Sequence, residues 1–251
     1  MNDITALIVA AGMGVRMGPR GELTPKGLIP MGGIPLVPQS VDTLRRWGVG
    51  RIIIVTGHLA TQYHSAFDGS EVELIHNADY ASTGSLLTLM TGLAAVDGPV
   101  VILESDLIYA PQVLEGVKPG TDCFMVSGPT GAGDEVWTWT DPLSDDNRMK
   151  VISKDRAARP EAPMGEMIGV TGLSASSVKR MHGVAARVLK EDPGAHYEQG
   201  LVELAQERPI ECVFFPDVPW AEVDDEAMLA AAEAQVFPRI LAARDAAWSG
   251  T

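Results

Sequence analysis

The chain has 251 residues, 46% hydrophobic and 21% charged, which is enough apolar material for one full core without a disulfide or metal staple. A formal net charge of −14 argues against nucleic acid or an anionic membrane as the main partner. Cys123 and Cys212 lie inside apolar runs with neither paired-thiol nor metal-ligand spacing, no basic-then-apolar leader opens the chain, and the longest apolar runs fall far short of the ~20 residues of a membrane helix. A reduced, cytoplasmic protein with no membrane span is therefore expected.

In chain order, Thr5–Ala10, Arg51–Thr56, Val72–Ile75 and Pro99–Leu103 are short, β-branched and apolar on both faces, as strands of a buried parallel sheet are. Val37–Trp47, Thr61–Phe67 and Ser85–Val96 carry apolar residues at helical spacing between them, which predicts a doubly wound α/β sheet. After Asp106 the pattern changes. Cys123–Ser127, Glu135–Thr140 and Met149–Ser153 read as strands, the last two joined by a turn over Asp141–Arg148. Ile168–Leu173 is a further strand, Ser174–Lys190 a helix with Ser174 as N-cap, Glu211–Phe215 a strand, and Asp225–Ala247 one long Ala-rich helix capped by Asp225. No linker or repeat divides the chain, so a single domain is expected, with a nucleotide-binding half at 1–110 and an acceptor-binding half at 111–251.

The first strand runs into Ala10-Ala11-Gly12-Met13-Gly14-Val15-Arg16, with Lys26 in a Thr-Pro-Lys just beyond. Glycines directly after a strand let backbone N–H groups approach phosphate oxygens, and Arg16 and Lys26 can neutralise a triphosphate from two sides. A dinucleotide fingerprint would want a third glycine where Met17 stands, and a Walker A loop would need a closing Gly-Lys-Ser/Thr. Neither is present.

The run Leu7 to Met17, followed by Thr24-Pro25-Lys26-Gly27-Leu28-Ile29-Pro30, resembles the signature of the sugar-phosphate nucleotidyltransferases and their phosphocholine and phosphonate (2-aminoethylphosphonate, phosphonoformate) cytidylyltransferase-like branch. The resemblance implies a Rossmann-like mixed sheet of the glycosyltransferase-A type, with a small antiparallel acceptor-binding subregion. It also implies CTP as nucleotide, Mg²⁺ as cofactor and a small phosphonate or phosphate as acceptor. A monomer or homodimer is expected.

Two acidic stretches are candidates for the metal. Asp106 follows an apolar strand that ends in Glu-Ser-Asp at the C-terminal rim of the sheet, where open α/β folds bind ligands. Asp224 lies in Trp220-Ala-Glu-Val-Asp, which resembles the family's late W-x-E-[IV]-D element and so implies a metal-binding role. Extended spacing puts Glu222 and Asp224 on one face. Catalysis is thus expected from Arg16, Lys26, Asp106 and Asp224.

For the nucleotide, the resemblance implies Ala10, Ala11, Gly12 and Gly14 of the loop, then Asn77, Thr83, Gly84 and Ser85, with Glu104 at the strand end. Thr83 and Ser85 read equally as a cap for the helix that follows. For the acceptor, Asp134 and Glu135 are candidates for an ammonium, and Lys154, with Lys150 and Arg148, for its anionic group. Trp137, Glu166 and Glu222 complete the expected pocket; Trp137 and Trp139 share a strand face and suit core packing equally well. A choline acceptor would want an aromatic cage, and Ile168-Gly-Val-Thr-Gly-Leu offers no second wall, which favours a smaller phosphonate. The alternatives are a phosphocholine or sugar-1-phosphate nucleotidyltransferase, and a non-catalytic nucleotide-sensing subunit.

Overall fold

The structure is a computed structural model and describes residues 3–141 and 147–249. Among the described residues one mixed sheet contains β1 (Thr5–Ala10), β2 (Arg51–Thr56), β3 (Glu73–His76), β4 (Val100–Glu104), β5 (Cys123–Ser127), β6 (Trp137–Thr140), β7 (Met149–Ser153), β8 (Gly165–Leu173) and β9 (Glu211–Phe215). Its order is β7-β6-β8-β4-β1-β2-β3, with β5 pairing β8 and β9. β1 runs parallel to β2 and β4, and β2 to β3. β8 is antiparallel to β4, β5 and β6, so the later strands join the first sheet and continue it.

Alternation along the strands divides the core in two. Leu7, Ile53 and Val55 pack against Leu86, Leu89 and Leu93 of the Ser85–Leu93 helix. Their neighbours Ile8, Ile52 and Ile54 point the other way, onto Val37, Val41 and Leu44 of the Leu36–Trp47 helix. Both faces are covered, which is why these strands read as unbroken apolar runs. Cys123 and Cys212 are free, buried thiols.

Expectation and structure differ at several points. The C-terminal segment stays helical, as expected, but Glu226–Ala231 passes through a π-helical turn at Ala232–Val236 before Phe237–Trp248. Pro238, which has no N–H to give the ladder, follows that turn. A helix at Tyr197–Glu207 was not expected, although Tyr197, Leu201 and Leu204 fall at helical spacing. Leu107–Tyr109, just after Asp106, is a strand paired with Trp220–Glu222. The strand expected from Glu135 starts at Trp137. Most of the turn expected over Asp141–Arg148 lies outside the described residues, although Thr140 and Met149 pair across it.

β8 carries a bulge where its register against β5 shifts between Met167 and Thr171, and Gly169 sits within it at φ +78°. A Cβ at Gly169 would lie 2.5 Å from Oε2 of Glu104. The bulge therefore makes room for a carboxyl on the neighbouring strand. Gly169→Ala is expected to cost about 1–3 kcal/mol, from the strained φ and the lost space. Urea denaturation checks this, and an unchanged midpoint would show that the bulge relaxes freely.

Candidate active site

The loop after β1 folds tightly on itself. Gly14 adopts φ +61° and leads into a single 3₁₀ turn, Val15–Met17, followed by one short helical turn at Pro19–Leu23. Two side chains from beyond β2 hold this segment by its carbonyls: His58 Nε2 lies 3.0 Å from Gly21 O, and Gln62 Nε2 donates to Leu23 O at 2.7 Å. The loop thus faces the C-terminal ends of β1, β2 and β4.

Lys26 follows on its own 3₁₀ turn, and Gly27 is wedged beside it. A Cβ at Gly27 would meet Tyr63 Oη and Val37 Cγ2, each at 2.5 Å, and Ser105 O at 3.1 Å. That close fit aims the lysine at the acids. Its Nζ donates to Asp106 Oδ2 at 3.0 Å and to Asp224 Oδ1. Arg16 supplies the other side, with NH1 2.9 Å from Asp134 Oδ2 and NH2 2.5 Å from Asp224 Oδ2. Each oxygen of the buried Asp224 carboxylate therefore has a cation of its own.

Burial opposes the charge on Lys26, yet Asp106 and Asp224 outweigh it and hold the ammonium above the ordinary lysine pKa. For Asp224 burial pushes upward, and Lys26, Asp134 and Arg16 bring it below the usual carboxylate range. Asp134 is raised, by burial and by its approach to Asp224, with Arg16 offsetting part of the rise. Asp134, Glu222 and Asp224 present ligand atoms within 4.8 Å of one another.

The same cavity, about 510 Å³, is also lined by Glu104, Glu198 and Glu222. Burial raises Glu104 strongly, and nearby Glu222 and Asp106 add to the rise. Glu222 is pushed up to about 7 by burial, relieved in part by a hydrogen bond with Glu104. Two carboxyls this close disfavour each other's ionisation, which adds to the effect of burial. Tyr197 donates to Glu104 Oε1 at 2.7 Å, and burial raises Glu198 beside it, whose Oε2 has no partner. Helix packing fixes this part of the cavity: Gly84 N donates to Pro193 O, Leu86 N to Ala195 O, and Tyr197 N to Ser85 Oγ at 3.0 Å.

A glycine loop at the ends of parallel strands, two cations and a cluster of carboxylates meet at one cavity. Residues 6–119 match the family model of the MobA-like NTP transferase domain. Over 181 residues the chain is 28% identical to a 2-aminoethylphosphonate cytidylyltransferase of Lancefieldella rimae, covering 70% of this chain and 69% of that one. It is 29% identical over 128 residues to a CMP-5'-(3-aminopropyl)phosphonate synthase of Streptomyces rubellomurinus, covering 49% of this chain and only 20% of that one. In fold it is similar to the CTP:phosphocholine cytidylyltransferase of Streptococcus pneumoniae, with a TM-score of 0.76 at 18% identity over 92% of this chain and 98% of that one. The Rossmann-like mixed sheet of the nucleotidyltransferases is the fold of this chain.

The structure gathers Arg16, Lys26, Asp106 and Asp224 with Ala10, Ala11, Gly12 and Gly14 around one cavity, which Thr83, Gly84, Ser85, Glu104, Lys154 and Glu222 also line. Other expected residues stand apart from it. Asn77 is buried and spends its amide on Thr88 Oγ1 and on the N–H of Asp79, so it braces the turn before the helix. Trp137 is core, with the Arg156 guanidinium 4.5 Å over its ring, and Trp139 donates to Glu161 O. Glu166 accepts from Thr130 N at 2.6 Å and from its hydroxyl at 3.0 Å, holding the loop that carries Asp134. Glu135 does not line the cavity, and Asp134 faces Arg16 and Asp224. Lys150 pairs with Asp141. The cavity adds Tyr63 and Tyr80, whose isolated positions in helix and loop gave no sequence signal.

Burial pushes the Glu166 carboxyl up to about 7. An acid raised in the folded state contributes stability that is complete below its unfolded pKa, about 4.3, and is lost as pH rises through 7. The expected loss across that window is on the order of 2–3 kcal/mol. Glu166→Gln, which cannot ionise, is expected to flatten the stability profile between pH 5 and 8; parallel profiles for the two proteins would contradict this.

Proposed function

We infer that the chain is a cytidylyltransferase that moves CMP from CTP onto a small aminoalkylphosphonate and releases pyrophosphate. One observation carries this reading: the cavity is lined by both kinds of charge, with Arg16 and Lys26 bound to Asp224 and with Glu104, Glu198 and Glu222 as further carboxyls that no lysine or arginine among the described residues is seen to pair. A zwitterion fits such a cavity, its anionic end toward the cations and its ammonium toward the carboxyls. The CMP-transferring relatives support cytosine as the base, and both phosphonate relatives are named for aminoalkyl acceptors. We assign residues 1–110 to the nucleotide and 111–251 to the acceptor and the C-terminal helix, within a single domain.

Five carboxyls but only three cationic side chains line the cavity, so a triphosphate requires a further positive charge. The all-oxygen donor set fits Mg²⁺, with Asp106 and Asp224 as its holders and Asp134 close by. Mg²⁺ bound there would draw charge from the α-phosphate and from the attacking oxygen. The residues do the rest. Arg16, Lys26 and the loop amides hold the triphosphate in line, and Lys26 faces the charge that builds as the bond to pyrophosphate breaks. An acceptor phosphonate oxygen, already ionised, forms the new P–O bond, so no general base is required. Placing the ammonium against Glu222 and Glu198 fixes which oxygen attacks.

Pyrophosphate release measured with each nucleoside triphosphate, against 2-aminoethylphosphonate, 3-aminopropylphosphonate, phosphonoformate, phosphocholine and a sugar 1-phosphate, is expected to be fastest for CTP with an aminoalkylphosphonate. A preference for a sugar 1-phosphate would overturn the acceptor assignment, and no release from any pair would point to a nucleotide-sensing subunit. Asp106→Ala is expected to lower kcat about 10²-fold or more. Glu222→Gln is expected to raise the KM of the amino acceptor about tenfold while that of CTP moves little.

A further inference from the structure

The cations that suit a triphosphate and the carboxylates that suit a divalent ion are bonded to one another. Lys26 Nζ lies between Asp106 and Asp224, and Arg16 bridges Asp134 and Asp224. Asp224 is almost wholly buried, at 4% exposure, so its charge needs a counter-ion at all times, whereas Arg16 is 54% exposed at its side chain and moves at little cost. Gly27, packed against Tyr63, Val37 and Ser105 O, keeps the lysine backbone where it is. A compact ammonium held by two carboxylates from chain segments 80 and 198 residues away is a stand-in for a metal ion.

We propose that Lys26 competes with the divalent ion for Asp106 and Asp224, so that metal binding alone is weak and becomes strong only when a triphosphate draws the ammonium away. This rests on the nucleotidyltransferase reading of the site. The two ligands are then coupled through one side chain: phosphate gives Lys26 a second partner, the freed carboxylates gain the metal, and neither step leaves a buried charge alone. By reciprocity the metal strengthens nucleotide binding by the same factor. Because Arg16 holds the other oxygen of Asp224, it contributes a smaller, more exposed share of the same competition.

The test is direct binding of Mn²⁺ to the full chain without nucleotide, read from the electron-spin-resonance signal of the free ion. Wild type is expected to bind weakly, Arg16→Gln about threefold more tightly, and Lys26→Met at least tenfold more tightly. Adding Asp224→Asn to the Lys26 variant is expected to abolish the gain. Arg16 is exposed, so its variant folds whether or not Lys26→Met does. Unchanged or weaker Mn²⁺ binding in the folded variants overturns the proposal. The pyrophosphate assay judges the nucleotidyltransferase reading separately: a chain with the Mn²⁺ response but no pyrophosphate release retains the competition and loses the enzyme, and one with release but no response does the reverse.

Discussion

The site depends on the mutual neutralisation of Lys26 and Arg16 with Asp106, Asp134 and Asp224. Asp224, the most buried of them, could not keep its charge alone, since an unpaired buried ion costs several kcal/mol. The pairing brings together a loop at residue 16, a turn at 26, a turn at 106, a loop at 134 and the segment just after a late strand at 224. The same electrostatic demand closes the fold around these residues.

The surrounding structure is arranged to hold that meeting point. The parallel strands present their C-terminal ends at one edge, and the short pairing of Leu107–Tyr109 with Trp220–Glu222 brings the two acidic segments side by side. Gly27 admits the lysine by lacking a side chain, and the Gly169 bulge leaves space for Glu104. The rest of the cavity is held differently. Backbone bonds from Gly84 and Leu86 to residues 193 and 195 lock the helix start at Ser85 against the segment that carries Tyr197 and Glu198. One cavity therefore joins an ion-paired group with carboxyls whose acidity burial weakens.

Much of the first half of the fold was legible because its signals are local. β-branched runs covered on both faces announce strands, and a glycine pair after the first of them announces a tight loop. The later half was harder. The Tyr197–Glu207 helix packs Tyr197, Leu201 and Leu204 on the core at helical spacing, but this stripe is only three residues long. The C-terminal helix was legible because alanine favours helix throughout, whereas its π-helical turn before Pro238 was not.

Sequence alone determined the chemistry of the loop and of the two acidic strand ends: which residues carry charge, and that glycine must stand between them. It also gave the alternation that puts Glu222 and Asp224 on one face. Only the tertiary structure decided which polar residues face the cavity. Asn77, Trp137 and Glu166 had the right chemistry but turn to Thr88, to the core and to Thr130, while Tyr197 and Glu198 turn inward. The reason is physical: a side chain's direction at these places follows from strand register, a bulge and helix docking, all set by contacts between segments far apart in the chain.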